Sequence, residues 1–359
     1  MKQPVIAQFK LNYGEFQLEV DLQLPDTGIT VLFGHSGSGK TTLLRCIAGL
    51  QHAPEGYLQI NDTVWQDHTQ KLFVPTYQRA LGYVFQEANL FPHLTVAQNL
   101  HYGLKRLPKS APKADLQHIL ELLGIQHLLQ RMPTGLSGGE KQRVAIARAL
   151  ALNPAILLMD EPLASLDNPR KQELLPYFIR MQQELKIPML YVTHSQQEVA
   201  QLADHIVLLE SGKILASGPL TETLSRLDLP LTHEPQASSI WHAKVVEHDA
   251  EFHLTYVGFE AGALCVSKIA ASVGTPVRVQ IFASDVSIAL AQPVGSSIQN
   301  VLPAVIEDFN DDDAGHCVVR LSVGKQVLLA HITRKSKILL NLQQNLAVFV
   351  QIKGTSIFI

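Results

Sequence analysis

The stretch Gly34-His35-Ser36-Gly37-Ser38-Gly39-Lys40-Thr41-Thr42 constrains this chain more than any other. It has the glycine and Lys-Thr spacing of a phosphate-binding loop, a motif that works only between a strand and the start of a helix. Both flanks fit. Ile29–Phe33 is a short apolar run that reads as a buried parallel strand, and Lys40–Leu50 reads as a helix. Glycines let successive backbone N–H groups curl around an anion without Cβ interference. The helix N-terminus adds unpaired donors of its own. In such a loop Lys40 reaches the β- and γ-phosphates of a nucleotide, and the Thr41 hydroxyl can ligate Mg²⁺.

At 359 residues the chain has room for two or three domains. It is 46% hydrophobic and 17% charged, as globular chains are, and its net charge of −3 offers no broad basic surface for nucleic acid. Cys46, Cys265 and Cys317 lie far apart without metal-ligand spacing, which fits a reducing compartment rather than a disulfide framework. The N-terminus has no signal-peptide core, and no apolar run reaches the ~18 residues of a membrane span. Any membrane role is therefore expected to come through a partner.

Up to about residue 230, apolar runs alternate with helix-length patterns. Val31–Phe33, Ala155–Met159, Met189–Val192 and Ile206–Leu209 read as strands of a mostly parallel sheet covered on both faces. Ala114–Leu123, Gly139–Leu152 and Pro169–Leu185 read as helices. The expectation is an α/β domain over residues 1–230, with a helical subdomain at about 87–153, and then a linker at 231–237 next to Pro230 and containing Pro235. Beyond the linker the texture turns to short alternating strands with an internal repeat. Ser238-Ser239-Ile240 leads into Ala243–Glu247 as Ser296-Ser297-Ile298 leads into Ala304–Glu307. Val277–Ile281 returns as Val348–Ile352, and each is closed by Ser-Ile, at Ser287-Ile288 and Ser356-Ile357. Two related all-β units of OB type are expected, at 238–293 and 294–359.

Two further constellations carry chemistry. The strand Ala155–Met159 ends in Asp160-Glu161. Asp160 at the strand tip can bind Mg²⁺, and Glu161 can polarise an attacking water. Ser137, with Glu140 three residues later, is a capping box for the helix that follows. Gly138 and Gly139 at that helix start also leave N–H groups bare for a phosphate.

Ser137-Gly138-Gly139-Glu140-Lys141-Gln142-Arg143 resembles the signature of ATP-binding-cassette ATPases. The order of phosphate loop, signature and Asp-Glu strand is also theirs. The resemblance implies ATP and Mg²⁺ as ligands, with Mg²⁺ on Thr41, Gln86 and Asp160. It implies catalytic roles for Glu161, for Gln86 in Tyr83-Val84-Phe85-Gln86, and for His194 behind Tyr191-Val192-Thr193 as a switch that contacts the γ-phosphate. Asp167 resembles the loop that crosses a dimer interface. The aromatic that stacks on adenine is Tyr13 or Phe16, with Tyr13 slightly favoured. Two cassettes would face each other head to tail, so that Ser137, Gly138, Gly139 and Glu140 of one complete the nucleotide site of the other.

Gln86–Val96 resembles the importer group, in which this segment docks a membrane permease. Ser297-Ile298-Gln299-Asn300-Val301-Leu302 together with Ile352–Ile357 resembles the molybdate-binding Mop fold, and the cassette resembles the ATPase subunits of molybdate importers. This implies a peripheral protein on the cytoplasmic face of the inner membrane. It would work with a permease and, indirectly, a periplasmic molybdate-binding protein, and not with nucleic acid. A cytosolic molybdate or tungstate ion is a further expected ligand, near Ser297, Asn300, Lys353 and Ser356. One departure stands out: Gln299 occupies a position where the Mop pattern has Arg. A sulfate, polyamine or sugar importer ATPase and a soluble cassette ATPase are the competing assignments.

Overall fold

In the computed structural model, which describes residues 5–14, 16–106, 114–312 and 314–358, the apolar run before the phosphate loop becomes a central strand of a large sheet. The chain divides into two units, Met1–Gly218 and Pro219–Ile359. The strands of the first are β1 (Val5–Tyr13), β2 (Phe16–Leu24), β3 (Gly28–Phe33), β4 (Glu55–Ile60), β5 (Thr63–Asp67) and β6 (Leu72–Phe73). They continue as β7 (Leu81–Val84), β8 (Ile156–Asp160), β9 (Pro188–Thr193), β10 (His205–Glu210) and β11 (Lys213–Pro219). Their order is β6-β5-β4-β1-β2-β11-β10-β3-β9-β8-β7.

The sheet has two halves with different physics. From β10 through β3, β9 and β8 to β7 all pairing is parallel. The inner strands of this half are mostly apolar, and every residue of β9 is buried, because a parallel sheet is covered on both faces. This is the mostly parallel sheet expected from the apolar runs. β1, β2, β4, β5 and β6 instead pair antiparallel, and β2 alternates exposed and buried residues. The expectation did not include this half, because its period-two strands lack long apolar runs.

The helices of the first unit are α1 (Lys40–Ala48), α2 (Val96–Leu104), α3 (Leu116–Leu123), α4 (Gly138–Leu150), α5 (Asn168–Glu184) and α6 (Gln196–Leu202). α2, α3 and α4 lie within the stretch expected as a helical subdomain. α1 buries Leu43, Leu44, Cys46, Ile47 and Ala48 in the core built with β1, β2 and β8–β10.

The second unit begins earlier than the expected linker. Residues 219–237 hold helix α7 (Leu220–Thr223) and belong to the C-terminal unit. Leu227 and Ala237 pack with Ala283, Val318 and Leu329, and His331 Nε2 lies 2.8 Å from the Thr232 carbonyl. Proline-rich composition read as a linker, but apolar burial makes the stretch part of the fold.

The remaining strands are β12 (Ser238–Asp249), β13 (Leu254–Phe259), β14 (Gly262–Ser267), β15 (Pro276–Phe282) and β16 (Val286–Ala289). The second copy supplies β17 (Asn300–Asp311), β18 (His316–Val323), β19 (Gln326–Thr333), β20 (Ala347–Ile352) and β21 (Ser356–Phe358). They form sheets β14-β13-β12-β15-β21 and β16-β20-β17-β18-β19. Read from β14 and from β19, the two orders are equivalent. Both long strands carry a register shift at matching places, between Val245 and Glu247 and between Ile306 and Asp308. The expected boundaries at 238–293 and 294–359 need one correction: the fifth strands are exchanged. β16 pairs with β20 and β21 with β15, so each sheet is completed by the other copy, and both sheets share one core.

Candidate nucleotide site

The phosphate loop is shaped by close approach of backbone to its neighbours. Gly34 has φ +156°, and a Cβ there would lie 2.2 Å from the Leu209 carbonyl oxygen on β10. Gly39, the N-cap of α1, has φ +104°, and its Cβ would lie 2.9 Å from Phe16 Cζ on β2. Only glycine fits both positions. Lys40 is 5% exposed, and its ammonium donates to the carbonyls of Gly34 at 2.8 Å and His35 at 2.7 Å. Burial lowers its pKa, opposed by the charges of Glu161 and Asp160. A cavity of ≈ 320 Å³ opens over the loop, lined by Phe16, Ser36, Gly37, Gly39, Lys40, Thr41, Thr42 and Glu161.

Parallel pairing of β8 beside β9 brings the acidic pair to this loop. The Thr41 hydroxyl donates to Asp160 Oδ1 at 2.9 Å, and the Tyr83 hydroxyl donates to Asp160 Oδ2 at 3.2 Å. Burial, reinforced by the Asp160 charge, raises the Tyr83 pKa. Glu161 adopts φ +46°, a conformation uncommon for a residue with a Cβ. Its backbone N–H donates to the Val192 carbonyl at 3.2 Å, and its Oε1 lies 3.5 Å from His194 Nδ1. Lys40, Thr41, Asp160, Glu161 and His194 are thus gathered at one end of the parallel half-sheet. Thr41 and Asp160 put two hard oxygen groups in contact, a donor set that suits Mg²⁺. Gln86 is exposed just beyond β7, whose Val84 pairs with Met159 of β8, so it stands at the same sheet edge without lining the cavity.

Phe16, the second of the two aromatic candidates, lines the cavity. Tyr13 pairs with Phe16 through the backbone of β1 and β2, and its side chain lies outside the described residues.

The expected capping box is present. Ser137 Oγ accepts from the Glu140 N–H at 3.2 Å, and Glu140 Oε2 accepts from the Ser137 N–H at 2.7 Å. The Ser137 N–H is also the main reason why the Glu140 carboxyl titrates below its ordinary range. Asp167 caps α5 by accepting from the Arg170 N–H at 3.1 Å. The two caps are neighbours, since a Cβ on Gly138 would meet Leu166 Cδ2 at 2.9 Å. Neither Ser137–Glu140 nor Asp167 lines the cavity over the loop.

In the C-terminal unit, Asn300 pairs with Ile352 across β17 and β20, next to the exposed Lys353, while Ser356 opens β21 on the other sheet. Ser297 is exposed ahead of β17. The Asn300 amide is engaged: it accepts from the Cys265 N–H at 2.7 Å and donates to the Cys265 carbonyl at 2.9 Å. It thereby joins the two sheets as a peptide group would. The Lys353 N–H donates to the Asp285 carbonyl at 3.0 Å, and the Asp285 carboxylate lies against Gly354, which works against a dianion at that end.

Three contributors escaped sequence reasoning. A tyrosine on an alternating strand, as Tyr83 is, carries no motif. Lys171 and Glu198 form a largely buried ion pair at 3.0 Å between residues 27 apart in sequence. Only their three-dimensional pairing reveals them.

A family model described as ABC transporter matches residues 18–164, and one described as TOBE domain matches residues 296–359. The "Molybdenum import ATP-binding protein ModC" of Aromatoleum aromaticum is 51% identical over 98% of this chain and 93% of its own length. The protein of the same name from Albidiferax ferrireducens is 52% identical over 98% of this chain and 95% of its own length. Among solved structures, cbiO1 from Clostridium perfringens, part of the ABC transporter complex cbiONQ, matches with a TM-score of 0.55 at 26% identity. That match covers 63% of this chain and 92% of the other.

Proposed function

The chain belongs to the ModC family of molybdenum import ATP-binding proteins, and from that premise we propose that it hydrolyses ATP to drive molybdate import through a membrane permease. The observation that carries the ATPase reading is the contact of Thr41 with Asp160 beside the Glu161–His194 pair, all facing the loop that holds Lys40.

The roles follow from position and chemistry. Loop N–H groups and the Lys40 ammonium bind the β- and γ-phosphates. Thr41 and Asp160 would hold Mg²⁺, with Gln86 reaching it from beyond β7 once the site is filled, and the ion when bound would neutralise charge on the transferred phosphoryl group. Glu161 orients the attacking water and takes its proton, while His194 holds the Glu161 carboxylate in register. Phe16 or Tyr13 stacks on the base. Two copies close head to tail over ATP, so that Ser137, Gly138 and Gly139 at the start of α4 reach the partner's nucleotide and the Asp167 loops meet. The segment 86–96 docks the permease. Among the described residues no helix is long and apolar enough to cross a membrane. As a partner of the permease, the chain works on the cytoplasmic side, where ATP is.

The test is uptake. Vesicles carrying this chain with its permease, loaded with ATP and supplied outside with the molybdate-binding protein, should accumulate labelled molybdate, and Glu161→Gln vesicles should not. Uptake of sulfate or a polyamine in place of molybdate would assign the chain to a different importer.

A further inference from the structure

Residues 161–171 run from the acid of the site, through the interface loop with Asp167, into the first turn of α5. This stretch is fastened at both ends, to the histidine strand β9 at the front and to the helix after it, α6, at the back. At the front, the Glu161 N–H donates to the Val192 carbonyl at 3.2 Å. At the back, Lys171 Nζ donates to Glu198 Oε1 at 3.0 Å. Glu198 is 4% exposed, and its second oxygen is also occupied. Oε2 accepts from the Tyr191 hydroxyl at 2.9 Å and from Thr193 Oγ1 at 2.8 Å. The Ser195 N–H donates to Thr193 Oγ1 at 3.0 Å, and Ser195 Oγ accepts from the Glu198 N–H at 3.3 Å. Residues 193, 195 and 198 therefore close a hydrogen-bonded ring, and His194 is the member of that turn left outside it, exposed and reaching Glu161.

A buried carboxylate is expensive unless every lone pair is met. A helix cap alone needs no such group, because Ser195 already caps α6. Here one carboxylate collects donors from α5 and β9 while sitting on α6. We propose that Glu198 is a positioning residue: it sets the His194 turn against Glu161 and holds the Asp167 loop on the same frame, so that the acid, the histidine and the interface loop move as one body. This rests on the roles given above to Glu161 and His194.

The test uses the full-length chain and measures kcat, KM for ATP and thermal midpoint. The variants are Glu198→Gln and Lys171→Gln, each alone, combined, and in a His194→Ala background. Glu198→Gln keeps the shape and loses the charge. It should lower kcat about tenfold or more, as small misplacements at an active site do, with KM close to wild type and a lower midpoint, because Lys171 loses its buried partner. Lys171→Gln should lower kcat in the same direction, and the combined variant should be no worse than Glu198→Gln. In the His194→Ala background Glu198→Gln should cost clearly less than in the wild type, because only its hold on the Asp167 loop through Lys171 is left to lose. Wild-type kcat in Glu198→Gln would overturn the proposal, and so would an equal fold-loss with and without His194. If Glu198→Gln does not fold, Lys171→Gln carries the same comparison at the other end of the pair. A His194→Ala chain with full turnover would instead overturn the role given to the histidine.

Discussion

Glu161 shows how much a single residue can be asked to do. Its left-handed backbone costs about 1–3 kcal/mol by the usual scale for such conformations. The surroundings hold it there through Val192 and His194. Glu161→Gln should keep ATP affinity by calorimetry and lower turnover by roughly 10²-fold or more, since the carboxylate that takes the proton is gone. Turnover near wild type would remove Glu161 from the mechanism. The thiols make a different residue-scale case. Burial pushes the pKa of Cys46 up to about 12, partly offset by Arg79. Burial, helped by Asp311, does the same for Cys317, also to about 12. Cys265 is only half-buried. The thiolate is the reactive form. At neutral pH, iodoacetamide should therefore modify Cys265 alone in the native chain and all three cysteines in denaturant, read by peptide mass spectrometry. Prompt native modification of Cys46 would contradict the burial argument.

Among the elements, α1 matters most because the phosphate loop is its N-terminal end. Its C-terminal end is closed by a residue distant in sequence. Arg79 donates through Nη1 to the Ile47 carbonyl at 2.7 Å and the Cys46 carbonyl at 3.2 Å, and through Nε to the Val74 carbonyl at 2.8 Å. Its guanidinium also stacks 5.0 Å from the Phe73 ring centre. A cation at a helix C-terminus meets both the orphan carbonyls and the negative end of the dipole. Arg79→Met should destabilise the first unit by about 2–3 kcal/mol, the scale of hydrogen bonds to a charged group. Because the same helix presents the loop, ATP affinity should fall as well. Calorimetric melting and ATP titration check both, and an unchanged melting profile would show that the carbonyls find other partners. The capping boxes of α2 and α4 are the opposite case, being complete within four residues of sequence.

For the whole molecule the boundary between units has consequences. A chain cut after 235 keeps Leu227 and neighbours but loses Ala283, Val318 and Leu329, on which they pack. A chain cut after 218 removes the whole stretch. The shorter chain should be the more soluble and should bind ATP, and the longer one should aggregate; sedimentation and ATP titration compare them. Equal behaviour of the two would mean that residues 219–235 fold independently of the C-terminal sheets. How far the molecule could be read from sequence depends on the range of the interactions involved. The phosphate loop, the Asp160-Glu161 pair and the Ser137–Glu140 cap are set by spacing and glycine freedom, so they were legible in the string, as was the duplication. The antiparallel half-sheet, Arg79 at the end of α1, and the meeting of Lys171 with Glu198 depend on partners brought together by chain topology. The exchange of β16 and β21 is the clearest limit. Val277–Ile281 and Val348–Ile352 offer each Ser-Ile strand nearly identical edges, so local pairing energy cannot choose between them. The shared core of the two sheets decides which edge each strand takes.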